Sequence, residues 1–116
     1  MPGYCGPRGE TDRYRWGNVE PGEEVELEID LPDGCRQTDI EVKIRPEHVF
    51  VKIMGQVLLD DTLLNRCNHD ESQWEIRGTR LVLVLQKANG SRIPWPSVFL
   101  SDCKQSFDFD DVNRFF

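Results

Sequence analysis

The chain is poor in the groups that most covalent chemistry needs. His48 and His69 are its only imidazoles among 116 residues. No Gly-x-Ser-x-Gly elbow accompanies them, and no pair of carboxylates stands apart from the general acidity, so acid–base or nucleophilic catalysis has no evident machinery. There is no glycine-rich phosphate loop. The four cysteines, Cys5, Cys35, Cys67 and Cys103, include no Cys-x-x-Cys pair, which argues against a zinc ribbon or a thioredoxin-type site. Cys67-x-His69-Asp70 would need one or two further ligands to hold a metal. Basic residues are the minority, 14 against 21 acidic for a net charge of −7. No basic cluster is present to neutralise phosphates, so nucleic acid is excluded as a partner. An apolar run of about 18 residues is also missing, so no membrane-spanning helix is expected. The first sixteen residues lack the apolar core of a secretory signal, which points to a cytoplasmic protein with free thiols. Together these absences predict a non-enzyme without metal or cofactor.

What is present is β-sequence. In EEVELEIDLP, Val25, Leu27, Ile29 and Leu31 alternate with Glu24, Glu26, Glu28 and Asp30, the period of a strand with one face on a core. The acidic row reads as a solvated face; a docking stripe for a basic partner is the alternative. Pro32-Asp33-Gly34 ends that strand. TDIEVKIR repeats the pattern through Ile40, Val42 and Ile44, and HVFVKIM through Val49, Val51 and Ile53. Gly55-Gln56 forms a turn into VLLDD and TLLNR, either two short strands or one bent strand. SQWEIRG directs Trp74 and Ile76 inward together, and RLVLVLQK is apolar on both faces, as a central strand requires. Upstream, Tyr14 and Trp16 share one face of a short strand, and Asn18–Gly22 reads as a turn. No stretch before residue 100 carries a helical stripe. Seven or eight strands at this spacing predict an all-β, antiparallel β-sandwich. Residues 1–12, with three glycines and two prolines, are expected to be a flexible leader.

The order of features from Tyr14 to about Phe99 resembles a CS domain of the NudC type. The motifs are Tyr14-x-Trp16; Leu31-Pro32; Gly55-x-x-Leu58-Leu59-Asp60-Asp61-x-Leu63; Glu71-Ser72-x-Trp74-x-Ile76; Leu81-x-Leu83-x-Leu85-x-Lys87; and Trp95. The short NudC-domain-containing proteins, to which Gly34–Ile40 and Phe107-Asp108-Phe109 are also similar, fit best. Pro96 stands where the family usually has a second tryptophan. The resemblance implies a CS domain over residues 13–99 followed by an acidic, Phe-rich tail over 100–116. It implies a co-chaperone that stabilises client proteins, with heat-shock protein 90 or dynein-complex components as partners. An ATP-independent small heat-shock-like holdase and a passive adaptor for one folded partner are the alternatives. No heptad segment is present for a dimeric coiled coil, so a monomer is expected.

The candidate protein-binding residues are Trp95, Phe99, Phe107, Phe109, Asp110, Asp111 and Phe115. Trp95, between Pro94 and Pro96, either caps the sandwich or begins a binding surface. The tail phenylalanines either pack back on the sandwich, insert into a partner groove with the aspartates supplying charge, or stay solvated.

Overall fold

The computed structural model describes residues 4–102. Eight strands run in chain order: β1 (Tyr4–Glu10), β2 (Arg15–Val19), β3 (Glu24–Asp30), β4 (Ile40–Arg45), β5 (His48–Ile53), β6 (Gln56–Thr62), β7 (Gln73–Arg77) and β8 (Arg80–Gln86). They form two antiparallel sheets, of order β1-β2-β3-β8-β7 and β4-β5-β6. The architecture is an all-β sandwich.

The alternating sequences decide which residues enter the core. On β3, Val25, Leu27 and Ile29 are buried and face Leu85, Leu83 and Leu81 of β8 in strict register. Val49, Val51 and Ile53 of β5 close the core from the other sheet with Leu59 of β6. Between Val51 and Lys52 the β5–β6 register shifts: Val51 opposes Leu59 and Lys52 opposes Val57. Leu58 is thus the extra residue of a bulge, which lets VLLDD run into Thr62 as one bent strand. The hairpin before it turns through Met54 and Gly55, both at positive φ (51° and 82°).

On the outer face of the larger sheet the acidic row does not stand bare. Arg15 reaches Asp30 at 2.9 Å and Glu28 at 3.5 Å, Arg80 reaches Glu28 at 3.3 Å, and Arg77 reaches Glu26 at 3.4 Å. Such exposed pairs contribute little to stability, but they neutralise the row in place. Val82 and Val84 lie between these side chains and are buried, which explains the unbroken apolar sequence of β8.

Three expectations need correction. Residues 4–10 of the expected flexible leader instead form a strand: β1 pairs antiparallel with β2, Gly9 opposite Trp16. A Cβ at Gly9 would stand 2.7 Å from Trp16 Nε1, so glycine is what lets the indole lie against this strand. Asn18 and Val19 belong to β2 rather than to a turn, and the reversal follows at Glu20–Gly22. Ile76 does not face a covered core. It sits on edge strand β7 and is 38% exposed, while Trp74 is half-buried against the core. A five-stranded sheet facing a three-stranded one leaves its outermost strand partly uncovered.

A candidate protein-binding groove at one end of the sandwich

After β8 the chain makes a 3-10 turn at Ala88–Gly90 and runs back along the side of the sandwich. Asn18, fully buried, fastens this segment. Its Nδ2 donates to the carbonyls of Pro7 (2.7 Å) and Trp95 (3.0 Å), and its Oδ1 accepts from the Trp95 N–H (2.8 Å). One side chain therefore joins β1, β2 and the C-terminal segment. Further along, Phe99 bridges to Leu63, and the Leu64 N–H donates to the Val98 carbonyl at 2.9 Å. The Phe99 ring meets Tyr14 edge-on, with centroids 5.6 Å apart.

The far end of the segment is held by charge. Tyr14 donates its hydroxyl to Asp102, which is also 3.5 Å from Arg13, and Arg13 in turn binds Asp61 at 2.8 Å. Burial, followed by the bond and charge of Asp102, pushes the Tyr14 hydroxyl well above the usual phenol range.

Where the segment leaves β8 it forms one wall of an open groove of about 530 Å³. Leu64, Ile93, Pro94, Trp95 and Pro96 supply apolar surface, and Lys87 is also in the lining. Lys87 is 1% exposed, with Nζ donating to the Ile93 carbonyl at 2.9 Å. Burying an ammonium is costly unless it is matched by acceptors, so this one is held where a carbonyl meets it. Arg66, also in the lining, pairs with Glu47 at 3.1 Å; Arg92 pairs with Glu23 at 3.0 Å. Ile93 is 75% exposed, the most exposed large apolar side chain among the described residues. The result is a concave surface lined by apolar side chains and a few polar ones, the general make-up of a binding site.

Of the residues singled out from the sequence, Trp95 (4% exposed) and Phe99 (fully buried) lie inside the structure. Trp95 belongs to the buried core cluster and also lines the groove. Phe107, Phe109, Asp110, Asp111 and Phe115 lie outside the described residues. Sequence reasoning missed Asn18, Lys87 and Ile93. Lys87 had a signal: it continues the odd-numbered series Leu81, Leu83, Leu85 and so shares their inward face. The Cys67 and His69 pair does not form a site. The Cys67 thiol is buried, pushed up by that burial, and lies 3.3 Å from the Arg45 carbonyl, whereas His69 is exposed. Among the described residues, no three His, Cys, Asp or Glu side chains gather to hold a metal, and no helix is long and apolar enough to cross a membrane.

The family model for the CS domain matches residues 12–87. The chain belongs to the CS-domain family. CS domains mediate protein–protein interaction, so a groove of this kind sits on a fold used for binding. This CS domain is 28% identical over 71 residues to NudC domain-containing protein 2 of Homo sapiens, covering 60% of this chain and 45% of that protein. The same values hold for NudC domain-containing protein 2 of Mus musculus. The chain thus spans less than half the length of these relatives. Among solved structures, the CS domain of the human KIAA1068 protein superposes with a TM-score of 0.68 at 16% identity, covering 80% of this chain and 77% of that one. The nuclear movement protein from E. cuniculi GB-M1 gives 0.62 at 19%, covering 76% and 99%. At these identities the likeness is one of fold. The groove's Ile93–Pro96 wall falls after the matched region.

Proposed function

We propose that this CS domain is the protein-binding module of a NudC-like co-chaperone acting in the cytoplasm. It holds client proteins by surface recognition and uses neither nucleotide hydrolysis nor covalent chemistry. Heat-shock protein 90 and dynein-complex components are its partners in this reading. One observation carries it: an open groove, lined largely by apolar side chains that include exposed Ile93, lies on the sandwich of a protein-binding family. Similarity to NudC domain-containing protein 2 supports the co-chaperone assignment.

The test is calorimetric titration of the full chain into heat-shock protein 90, with and without a non-hydrolysable ATP analogue, beside the variant Ile93→Asp. Binding that falls at least tenfold in the variant supports the groove as the contact. Equal binding by both chains moves the site elsewhere on the sandwich. No binding in either nucleotide state removes heat-shock protein 90 as a direct partner. Suppression of aggregation of a heat-denatured client by the chain alone, with large assemblies in sedimentation, would favour the holdase instead.

A further inference from the structure

The three-stranded sheet has two open edges, β4 and β6. Bulges, proline and charge are what keep such an edge from pairing with another chain. β6 is bent by its bulge and carries Asp60 and Asp61; in the larger sheet β1 is irregular between Tyr4 and Arg8 and contains Pro7. β4 has neither bulge nor proline, and Ile40 to Arg45 pair with β5 in unbroken register. Its bonding parity follows from the two-residue turn at Pro46-Glu47. Arg45 and His48, which flank that turn, exchange bonds, so odd-numbered residues address β5 and even-numbered ones the open edge. The Asp39 carbonyl, accepting from the Met54 N–H at 2.8 Å, fits the same parity. Val42 and Ile44 therefore turn main-chain groups outward, and among the described residues no other backbone group meets them there. Their side chains are partly buried against the core. Glu41 and Lys43 stand half-exposed on the outer face, 3.3 Å apart.

We propose that two copies of this protein pair antiparallel along β4, joining their three-stranded sheets into one continuous sheet. Parity allows only registers in which even-numbered residues meet even-numbered ones. With Val42 opposite Val42 of the second copy, Ile40 falls opposite Ile44 and Glu41 opposite Lys43, each twice by symmetry. Glu41 and Lys43 then occupy the non-hydrogen-bonded positions, about 4.5 Å between Cα atoms, where opposite charges attract and like charges repel. Sliding one copy by two residues in either direction sets Glu41 against Glu41 or Lys43 against Lys43. In the matched register the two Val42 residues exchange their bonds, and each Ile44 N–H meets an Ile40 carbonyl; the Ile40 N–H keeps its bond to the Gln37 carbonyl. Charges that guard this edge against strands in general thus admit one partner, the same strand turned through a two-fold axis. β7 lacks this property: paired in full, Gln73 against Arg77, it sets Glu75 against Glu75 of the other copy. Six residues of strand span about 20 Å, so the contact is small and the dimer weak. It needs neither a coiled coil nor a client.

Sedimentation equilibrium of the full chain over a range of concentrations tests this pairing. A monomer–dimer equilibrium with a dissociation constant below about 0.5 mM is expected. Glu41→Lys and Lys43→Glu each set like charges opposite one another and are expected to weaken the dimer about tenfold or more. Both side chains are exposed, so the melting temperature of each variant is expected to match the parent's. Mixed in equal amounts, the two variants regain the association as a heterodimer, because each then meets opposite charge at both positions. A chain that stays monomeric at about 0.5 mM overturns the proposal. So do assemblies larger than a pair, a dimer indifferent to both variants, and variants that fail to recover when mixed. Binding to heat-shock protein 90, or its failure, bears on none of these outcomes.

Discussion

Replacing Asn18 by alanine is expected to be among the most damaging single changes to this fold. The side chain is fully buried and makes three hydrogen bonds, two given to the carbonyls of Pro7 and Trp95 and one taken from the Trp95 N–H. At about 1 kcal/mol net apiece these amount to about 3 kcal/mol, and stranding three main-chain groups away from water carries the loss toward 5 kcal/mol. A domain of this size has a total stability of about 5–15 kcal/mol. In urea, with a slope of about 1–3 kcal/mol/M, the midpoint is expected to fall by about 1–5 M at unchanged slope. Asn18→Asp sharpens the test. It keeps the acceptor for the Trp95 N–H but points a second carboxylate oxygen at two carbonyls. It is expected to be at least as destabilising at neutral pH and milder in acid, where the protonated group donates once. If both variants unfold within about 0.5 kcal/mol of the parent at equal slope, Asn18 does not join these segments energetically and the reasoning fails.

Phe99→Ala removes a fully buried ring that packs on Tyr14 and is expected to lose about 3–5 kcal/mol in the same urea assay, although the position lies beyond the matched family region. Tyr14→Phe leaves buried Asp102 without the hydroxyl and is expected to lose about 1–3 kcal/mol. Because the Tyr14 hydroxyl is raised above its ordinary 10.0 in the fold, its contribution is complete below pH 10. It declines as pH climbs past 10, where only the unfolded chain ionises, so the alkaline fall in melting temperature is expected to be shallower in Tyr14→Phe. Met54→Asn places at φ 51° a residue that tolerates the left-handed region and completes an Asn-Gly hairpin; the urea midpoint is expected to rise by the equivalent of about 0.5–1 kcal/mol.

Much of the sandwich was legible because its strands obey strict alternation. Val25 to Ile29 and Val49 to Ile53 declare their buried faces without help from the rest of the chain, and the double-sided apolar run of β8 announces an interior strand. β1 was illegible for a physical reason. Gly6, Pro7 and Gly9 read as loop, yet an edge strand tolerates proline, and glycine there answers to the Trp16 ring, a neighbour seven residues away that no local pattern reveals. Ile76 misled in the opposite sense: period-2 reasoning gives the face of a sheet but not whether the opposing sheet is wide enough to cover it. Lys87 could be placed inward by counting, but Asn18 and Ile93 owe their roles to a return of the chain across 77 residues.

That return has a consequence for how the protein is made. Asn18 leaves the ribosome with only one of its three native hydrogen-bond groups, the Pro7 carbonyl, already made, and its partner Trp95 follows 77 residues later, about 4–15 s at ordinary rates of about 5–20 residues per second. Through that interval the alternating strands can assemble, yet the side of the sandwich stays open and Tyr14 lacks both Phe99 and Asp102. A nascent chain of this kind waits half-closed, the segment that follows β8 serving as the clasp for β1 and β2.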